Sequence, residues 1–230
     1  MNTGSEIAEV AALIGDPARA NILMALADGR ALTATELALA AGVSPQTTSG
    51  HLAKLTEAHL LAVAAQGRHR YYRIAGPAVG HALESLMTLA VTGLAPKRLP
   101  SKQDDAIRAA RTCYDHLAGR LGVALADRLI AAGYLAPEDE QDFRVTKGGE
   151  KFLGGLGIDL DVVRRQRRAF ARQCIDWSER RPHVAGALGA ALADRFFERG
   201  WIARVRDGRA VTVTPAGKRG LRSVFDIRLD

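Results

Sequence analysis

Apolar residues recur every three or four positions through the first sixty residues, which is the spacing of amphipathic helices. The pattern covers residues 7–14, stops at Gly15-Asp16-Pro17 and resumes over residues 22–26. Asp16 and Pro17 suit the N-cap and the first position of a new helix. Beyond Leu60 the spacing becomes strand-like, and a turn at residues 66–68 separates two predicted strands, 60–63 and 69–74.

Between these segments, residues 33–57 predict two short helices joined by a tight turn at Ala41-Gly42-Val43. Ser44 and Pro45 suit the start of the second helix. The residues predicted to face inward are Leu37, Ala38, Thr48, Leu52 and Leu55. The outward face of the second helix is polar and mostly uncharged, as is typical of helices that read base edges in a major groove. This order of elements predicts a winged helix-turn-helix.

Two groups of residues are the predicted DNA contacts. Those at the start and on the outer face of the second helix are Ser44, Gln46, Thr47, Ser49 and Lys54. Those of the basic hairpin, which can reach the sugar-phosphate backbone, are Arg68, His69, Arg70 and Arg73. The residues of the helix would contribute specificity, and those of the hairpin would contribute affinity and salt dependence.

Residues 5–90 resemble the ArsR family of bacterial winged-helix repressors. The matching segments are LIGDPARANIL, the stretch ELALAAGVSPQTTSGHLAKL and the G-R-x-R-Y-Y-R hairpin. The resemblance implies a homodimer, joined through the first helix and an amphipathic helix at about 76–92, that binds an imperfect inverted repeat in double-stranded DNA. It also places Ser49 and His51 at the DNA face. Gly50 departs from the family pattern, in which a longer side chain is usual.

Many members of this family sense metals, but the familiar ligand positions are not reproduced. The helix before the turn, ELALAAG, has no cysteine. His81 and Glu84 match half of a second site, whereas its other half falls on Arg68 and Arg70, which do not bind cations. The sequence therefore predicts no cofactor and no metal at these positions.

Composition narrows the class of protein further. The 230 residues carry a formal net charge of +7, which suits a polyanionic partner. Two cysteines fit a reducing cytoplasm better than a disulfide scaffold. The sequence has neither a secretion signal nor an apolar run of the roughly 20 residues that a membrane span needs. We therefore expect a cytoplasmic protein that does not contact membranes.

The second half of the chain contains an internal repeat. After a proline-containing linker at 93–104, residues 116–135 align without gaps on residues 183–202, and 11 of the 20 positions are identical. Each copy is interpreted as two helices followed by a hairpin, with repeat units at about 107–156 and 170–226. The predicted fold class is thus mainly α with small β-hairpin wings (α+β): a DNA-binding and dimerisation domain over 1–92 and a sensing or dimer-stabilising domain over 105–230.

Both cysteines lie in similar contexts, Cys-Tyr-Asp-His at 113–116 and Cys-Ile-Asp-Trp at 174–177. Some ArsR-like regulators carry an extension with similar motifs. The candidate effector or redox residues are Cys113, Tyr114, His116, Cys174, Trp177 and His183. A soft metal such as zinc or an arsenic species, a reversible disulfide, a pocket for a small organic ligand, and simple burial in the core all remain open, and the metal is not the favoured one.

The leading hypothesis is a homodimeric, sequence-specific repressor that an effector, sensed in the C-terminal domain, releases from its operator. One alternative is a constitutive DNA-binding or architectural protein. An enzyme is disfavoured, because Cys113 and His116 lie only three apart on a predicted helix and no nucleophile elbow is present. A run of arginines between residues 164 and 181 is either a second DNA-binding surface or a solvated helix face.

Overall fold

The computed structural model describes residues 3–27, 29–67, 69–93, 102–205 and 209–228. The chain divides into two compact units, Met1–Leu83 and Glu84–Asp230, and the division falls inside a helix. Most of the predicted linker, residues 94–101, lies outside the described residues, as does Arg68. Within the described parts, no helix is long and apolar enough to cross a membrane.

The first unit combines helices with a small sheet; its helices and wing strands follow the predicted order, and the short strand β1 was not predicted. Its elements are α1 (Thr3–Ile14), α2 (Pro17–Ala25), β1 (Leu32–Thr33), α3 (Ala34–Ala41), α4 (Pro45–Glu57), β2 (Leu61–Gln66), β3 (His69–Ile74) and the beginning of α5 (Pro77–Gly93). Its fully buried apolar residues include Ile22, Leu23, Leu26, Leu37, Leu52, Leu55 and Ile74. All five residues predicted to face inward are buried.

Short-range hydrogen bonds set the helix boundaries of this unit. The Asp16 carboxylate accepts from the backbone N–H of Arg19 at the start of α2. Thr33 and Glu36 form a reciprocal capping box at the start of α3. That helix ends at Gly42, whose φ of 67° lies in the left-handed region. These contacts join residues at most three apart, so the sequence could predict them.

The two long strands form an antiparallel hairpin, called the wing from here on. Its register runs from Leu61 opposite Ile74 to Gln66 opposite His69. The short strand β1 pairs with the other edge of β3, which gives the sheet order β1-β3-β2. The base of the wing is therefore attached to the helical core, and its tip extends away from it.

The second unit begins within α5 and contains small hairpins between helices. Its elements are α6 (Lys102–Ala109), β4 (Arg111–Cys113), β5 (His116–Ala118), α7 (Gly119–Ala131), β6 (Leu135–Pro137), β7 (Phe143–Val145), α8 (Lys147–Leu156), α9 (Leu160–Arg164), β8 (Arg172–Ile175), β9 (Pro182–Ala185), α10 (Gly186–Glu198), β10 (Ile202–Arg204), β11 (Val211–Val213) and α11 (Pro215–Phe225). The order strand, strand, helix, strand, strand, helix thus occurs twice, over 111–156 (the first copy) and 172–225 (the second copy).

The prediction that each copy starts with two helices is wrong, because each starts with a hairpin and a second hairpin separates its two helices. His116, Leu117 and Ala118 are all buried, so β5 has no polar face to reveal a strand. Their apolar pattern continues directly into α7, which begins at Gly119 with a φ of 74°. A segment of this kind has the same apolar signal as a buried helix.

The two copies are interlocked by reciprocal backbone hydrogen bonds. In each copy, the first strand bonds to residues at the last hairpin of the other copy. The bonds run from Thr112 to Arg209, from Val211 to Ala110, from Phe143 to Ala171 and from Gln173 to Gln141, with N···O distances of 2.7–3.0 Å. A single apolar core continues through both copies, and Phe152 of the first packs edge-on against Phe225 of the second at 5.5 Å. The copies therefore form one domain.

Candidate nucleic-acid interface and thiol–imidazole cluster

Helix α4 is anchored by one face and presents the other to solvent. The Ser44 hydroxyl accepts from the backbone N–H of Thr47 at 3.1 Å, and Pro45 occupies the first turn. Thr48 is fully buried, and its hydroxyl donates to the Ser44 carbonyl at 2.9 Å. With Leu52 and Leu55 buried on the same side, the rotation of α4 about its axis is fixed.

Four of the predicted DNA-contacting residues of α4 are exposed, but only some of them already make local hydrogen bonds. Gln46, Thr47, Ser49 and Lys54 are exposed, as expected for a reading face. The hydroxyls of Thr47 and Ser49 already make local bonds, to Ser44 Oγ at 2.8 Å and to the Pro45 carbonyl at 3.0 Å. Gln46 and Lys54 therefore provide the longest exposed side chains of this face.

Two further positions of α4 differ from the rest of the face. His51 is half-buried, and its Nδ1 lies 3.5 Å from the Arg19 guanidinium, so this ring also packs within the unit. A Cβ added at Gly50 would meet nothing within 4 Å. Packing inside the first unit therefore does not explain this glycine, which leaves the surface at the middle of α4 flat.

The wing carries a row of exposed cationic and polar side chains. His69, Arg70 and Arg73 are all exposed on β3, and Arg68 lies outside the described residues. Arg70 pairs with Ala65 and Arg73 with Ala62, so small neighbours leave both guanidiniums accessible. Such side chains suit contact with phosphate oxygens.

Four side chains of the second unit converge in its interior, and we call them the thiol–imidazole cluster: Cys113, His116, Cys174 and His183. One potential ligand atom from each lies within 4.8 Å of all the others. The two sulfur atoms are 4.0 Å apart, and the two imidazole Nε2 atoms are 3.2 Å apart. Cys113 and both histidines are fully buried, whereas Cys174 is half-buried.

The hairpins explain how these residues meet. Cys113 pairs with His116 across β4–β5, and Cys174 pairs with His183 across β8–β9. Each hairpin thus contributes one thiol and one imidazole. The hypothesis that Cys113 and His116 share a helix is wrong, since they face each other across a turn in which Tyr114 has a φ of 57°.

A carboxylate stands behind each imidazole. Asp115 Oδ1 lies 3.2 Å from His116 Nδ1, and the carboxylate is also bound by the Arg168 guanidinium. Asp176 Oδ2 lies 3.7 Å from His183 Nδ1. Both aspartates occupy the third position of the two Cys-x-Asp motifs, which is the signal by which the sequence could have identified them.

Asp176 is the most heavily bonded of these groups. Its Oδ2 accepts from Arg111 Nη2 at 2.9 Å and from the backbone N–H of Gly119 at 2.6 Å, and its Oδ1 accepts from the Ser178 hydroxyl at 2.7 Å. Both Arg111 and Asp176 are fully buried. Burial alone would raise the pKa of Asp176, but Arg111 and the hydrogen bonds prevail and hold it well below its usual value.

The structure gives the surroundings of Trp177 and Tyr114, two of the candidate effector residues. The Arg111 guanidinium stacks over the Trp177 ring at 4.7 Å, and Arg108 lies 5.7 Å from the same ring. The indole therefore covers the buried ion pair. Tyr114 occupies the turn of its hairpin. Sequence reasoning missed Arg111, because a basic residue at a strand start has no local mark of burial.

Protonation within the cluster is uneven. Burial raises the pKa of the Cys113 thiol well above its usual value. The hydrogen bond from Cys113, followed by bonds from both imidazoles, lowers the pKa of Cys174. Burial opposes the charged form of His116, but its bonds to Asp115 and Cys174 prevail and raise its pKa to about 9. The contacts within the cluster thus favour the charged forms of Cys174 and His116, whereas burial favours the neutral thiol of Cys113.

Two other predicted features are placed by the structure. Glu84, half of a familiar metal motif, is buried and bound by Arg209 Nη1 at 2.5 Å. Several of the arginines between 164 and 181 form ion pairs, including Arg164 with Glu150 and Arg181 with Asp127, both at 2.6 Å. These pairs neutralise part of the positive charge of that segment.

A domain model and a relative of similar sequence match this chain. A helix-turn-helix domain model matches residues 14–64. The chain is 44% identical over 223 residues to the uncharacterized HTH-type transcriptional regulator YdfF of Bacillus subtilis (strain 168), covering 97% of this chain and 98% of that protein.

Solved structures match part of the chain. The homodimeric winged helix-turn-helix DNA-binding domain of Mb0332 from Mycobacterium bovis is 27% identical and covers 42% of this chain and 89% of its own, with a TM-score of 0.37. HlyU from Vibrio cholerae is 23% identical and covers 38% of this chain and 95% of its own, with a TM-score of 0.35. Because both matches span less than half of this chain, the assignment that follows depends on the Bacillus relative.

The fold and the exposed face of α4 define a DNA-binding transcriptional regulator of the winged helix-turn-helix class, as the sequence predicted. The near full-length similarity places the chain more narrowly: it belongs to the family of HTH-type transcriptional regulators that includes YdfF.

Two ion pairs between the copies differ mainly in burial and allow a matched test. We expect Asp176→Asn to lower the free energy of unfolding by about 3–5 kcal/mol, because it leaves Arg111 charged and buried. Asp127→Asn removes the partner of Arg181 in a largely exposed pair and should cost about 1 kcal/mol or less. Urea unfolding followed by tryptophan fluorescence would measure both, since the two tryptophans belong to the second unit. Equal losses would contradict this account.

Proposed function

We propose that this regulator is a homodimeric repressor that binds an inverted-repeat operator and is released by a signal received in its second unit. The main support is the geometry of α4: a capped helix that is anchored by Thr48, Leu52 and Leu55 and presents a polar, mostly uncharged face. A helix held this rigidly can place the same side chains against the same base edges at each encounter.

Within this proposal, the two exposed surfaces of the first unit have different tasks. Gln46 lies near the N-terminus of α4, the end that enters the major groove in helix-turn-helix proteins, and its amide can bond to adenine in a bidentate manner. Arg70 and Arg73 of the wing contact phosphates, which gives affinity on any duplex and a strong dependence on salt. Specificity and general affinity are thus carried by different elements.

Helix α1 supports a dimer. Residues 4–12 are exposed, including the apolar Ile7 (69%) and Val10 (40%). On α5, Leu86 is also exposed (43%). Apolar side chains on the outside of a short helix gain stability by packing against another copy. Two copies also suit the two-fold symmetry of an inverted repeat.

The reading role of α4 can be tested on operators selected from random duplexes with the wild-type protein. We expect Gln46→Ala to weaken operator binding by about 1–3 kcal/mol and to change binding of scrambled DNA much less. Fluorescence anisotropy measures both affinities. A promoter that carries the operator should also show higher reporter expression with this variant than with the wild type.

Gln166→Ala is the matched control, because Gln166 is an exposed glutamine in the second unit. It should bind operator and scrambled DNA as the wild type does. Failure of the selection to enrich any sequence, or equal losses on both duplexes with Gln46→Ala, would count against the proposal.

The dimer surface can be tested separately. Ile7→Glu would place a charge within the proposed interface, so the dimer dissociation constant should rise at least about tenfold, or 1.4 kcal/mol. Leu39→Glu is the control, since Leu39 is 86% exposed on α3, away from α1. Sedimentation equilibrium would give both constants. A monomeric wild type, or equal constants for the two variants, would refute the assignment.

The signal is proposed to act at the thiol–imidazole cluster, because the half-buried Cys174 has a pKa lowered by its neighbours and lies 4.0 Å from a second thiol. Thiols of this kind respond to oxidants and soft metals. We expect operator affinity to change at least tenfold between reduced protein and protein treated with hydrogen peroxide or Zn²⁺. Cys174→Ser should abolish this response, so that its operator affinity is the same with and without the treatment. Operator affinity that is the same under all conditions would instead indicate a constitutive regulator.

A further inference from the structure

The thiol–imidazole cluster has a feature that core packing does not explain. Four side chains with metal-ligating atoms point their sulfur and Nε2 atoms at one central space, and three of them are fully buried. Each comes from a different strand, so the convergence depends on the mutual packing of both copies. Buried polar groups of this kind require partners that compensate for lost hydration.

We propose that Cys113, His116, Cys174 and His183 bind one Zn²⁺ ion in a closed, tetrahedral site that joins the two copies. The inference concerns the cluster at which the proposed function places the signal, but zinc binding is measured without DNA, so its failure and a failure of operator binding are distinguishable. It concerns only the second unit and would hold for a regulator of any kind.

The distances fit a tetrahedral ion. Zn–S bonds of about 2.3 Å and Zn–N bonds of about 2.0–2.1 Å in tetrahedral geometry separate two sulfur atoms by roughly 3.8 Å and two nitrogen atoms by roughly 3.3 Å. The corresponding distances in the cluster are 4.0 Å and 3.2 Å. All four ligand atoms lie within 4.8 Å of one another, so small side-chain movements would complete the coordination.

The surroundings of the histidines also fit. Zinc-bound histidines usually direct their other ring nitrogen to a carboxylate, which fixes the ring and increases its basicity. Asp115 occupies this position at His116 Nδ1, at 3.2 Å, whereas Asp176 lies 3.7 Å from His183 Nδ1, near it but beyond hydrogen-bond distance. Arg168 and Arg111 in turn bind the two carboxylates, so the outer groups are oriented and already neutralised.

The charges of the four ligands favour a divalent cation. A divalent cation with two thiolates and two neutral imidazoles is electrically neutral, which suits a buried site. Binding leaves two thiolates and two neutral imidazoles, so the proton of Cys113 and the one proton shared by Cys174 and His116 leave to solvent. Two sulfur and two nitrogen ligands favour zinc over the hard cations Mg²⁺ and Ca²⁺. Because the protein supplies all four ligands, the site resembles a structural centre more than a catalytic one.

The ion would act as a cross-link within the second unit. One thiol and one imidazole come from the hairpin β4–β5, and the other two come from β8–β9. Helix packing holds the hairpins together at the same place. A Cβ at Gly122 of α7 would lie 3.6 Å from His183 Cβ, and one at Gly189 of α10 would lie 3.1 Å from His116 Cβ. Each helix thus packs beside the histidine of the other copy.

The test uses the full-length protein, stripped with a chelator under reducing conditions and then titrated with Zn²⁺ or Co²⁺. We expect one equivalent of Zn²⁺ per chain after dialysis, with release of two protons. With Co²⁺, the wild type should show the intense visible bands of a tetrahedral site and a near-ultraviolet thiolate-to-metal charge-transfer band. The Co²⁺ spectrum tests the ligand set without any substitution.

Variants then assign the ligands. His183→Gln should lower zinc affinity at least 100-fold, whereas His69→Gln, at an exposed histidine of the wing, should leave it unchanged. Asp115→Asn keeps all four ligands and should weaken binding about 10–100-fold. This variant keeps the test informative if His183→Gln does not fold.

Three results would overturn the proposal. The first is less than a tenth of an equivalent of Zn²⁺ retained by reduced wild-type protein, and the second is a Co²⁺ spectrum of octahedral type without a charge-transfer band. The third is equal zinc affinity for His183→Gln and His69→Gln. Loss of two mass units with no metal bound, even in reductant, would point instead to a Cys113–Cys174 disulfide.

Discussion

The second unit depends on the buried carboxylate of Asp176. Asp176 belongs to the second copy, but its carboxylate binds two groups of the first copy: the Arg111 guanidinium in β4 and the backbone N–H of Gly119 at the start of α7. A buried carboxylate that lost these donors would be costly, so the chain must keep both copies packed to satisfy it. The same carboxylate approaches His183, which ties the thiol–imidazole cluster to the ion pair.

The interlocking of the copies follows from the same constraint. Reciprocal backbone bonds join each first strand to the last hairpin of the other copy, and one core runs through both. Neither copy could therefore open without exposing apolar surface and unpaired backbone groups of its neighbour. The cluster lies where the hairpins β4–β5 and β8–β9 of the two copies meet.

The sequence predicted the first unit well because its signals are short-range. Asp16, Thr33, Ser44 and Gly42 act on neighbours within a few positions, and amphipathic spacing marks the inward faces. The prediction of the wing as a hairpin also depends only on the alternation of its residues and on a turn that contains a glycine. Here, local preference and tertiary packing agree, so either suffices to indicate the fold.

The second unit was harder to predict because its determinants join distant residues. The strand 116–118 is buried on both faces and continues into α7, so its apolar pattern does not separate strand from helix. The repeat and both Cys-x-Asp motifs were visible, but the partner of each aspartate was not. Arg111 and Asp176 lie 65 positions apart, and nothing near either residue marks it as buried.

The distribution of charge separates the tasks of the two units. A net charge of +7 suggests a polyanion-binding surface, but many arginines of the second unit are engaged with carboxylates, among them Arg111, Arg168 and Arg209. In the wing, by contrast, Arg70 and Arg73 are exposed beside small alanines. Attraction to phosphate depends on accessible charge and not on the total, because a paired guanidinium is already compensated. Arginine is therefore accessible to solvent in the wing of the first unit and paired with carboxylates in the interior of the second.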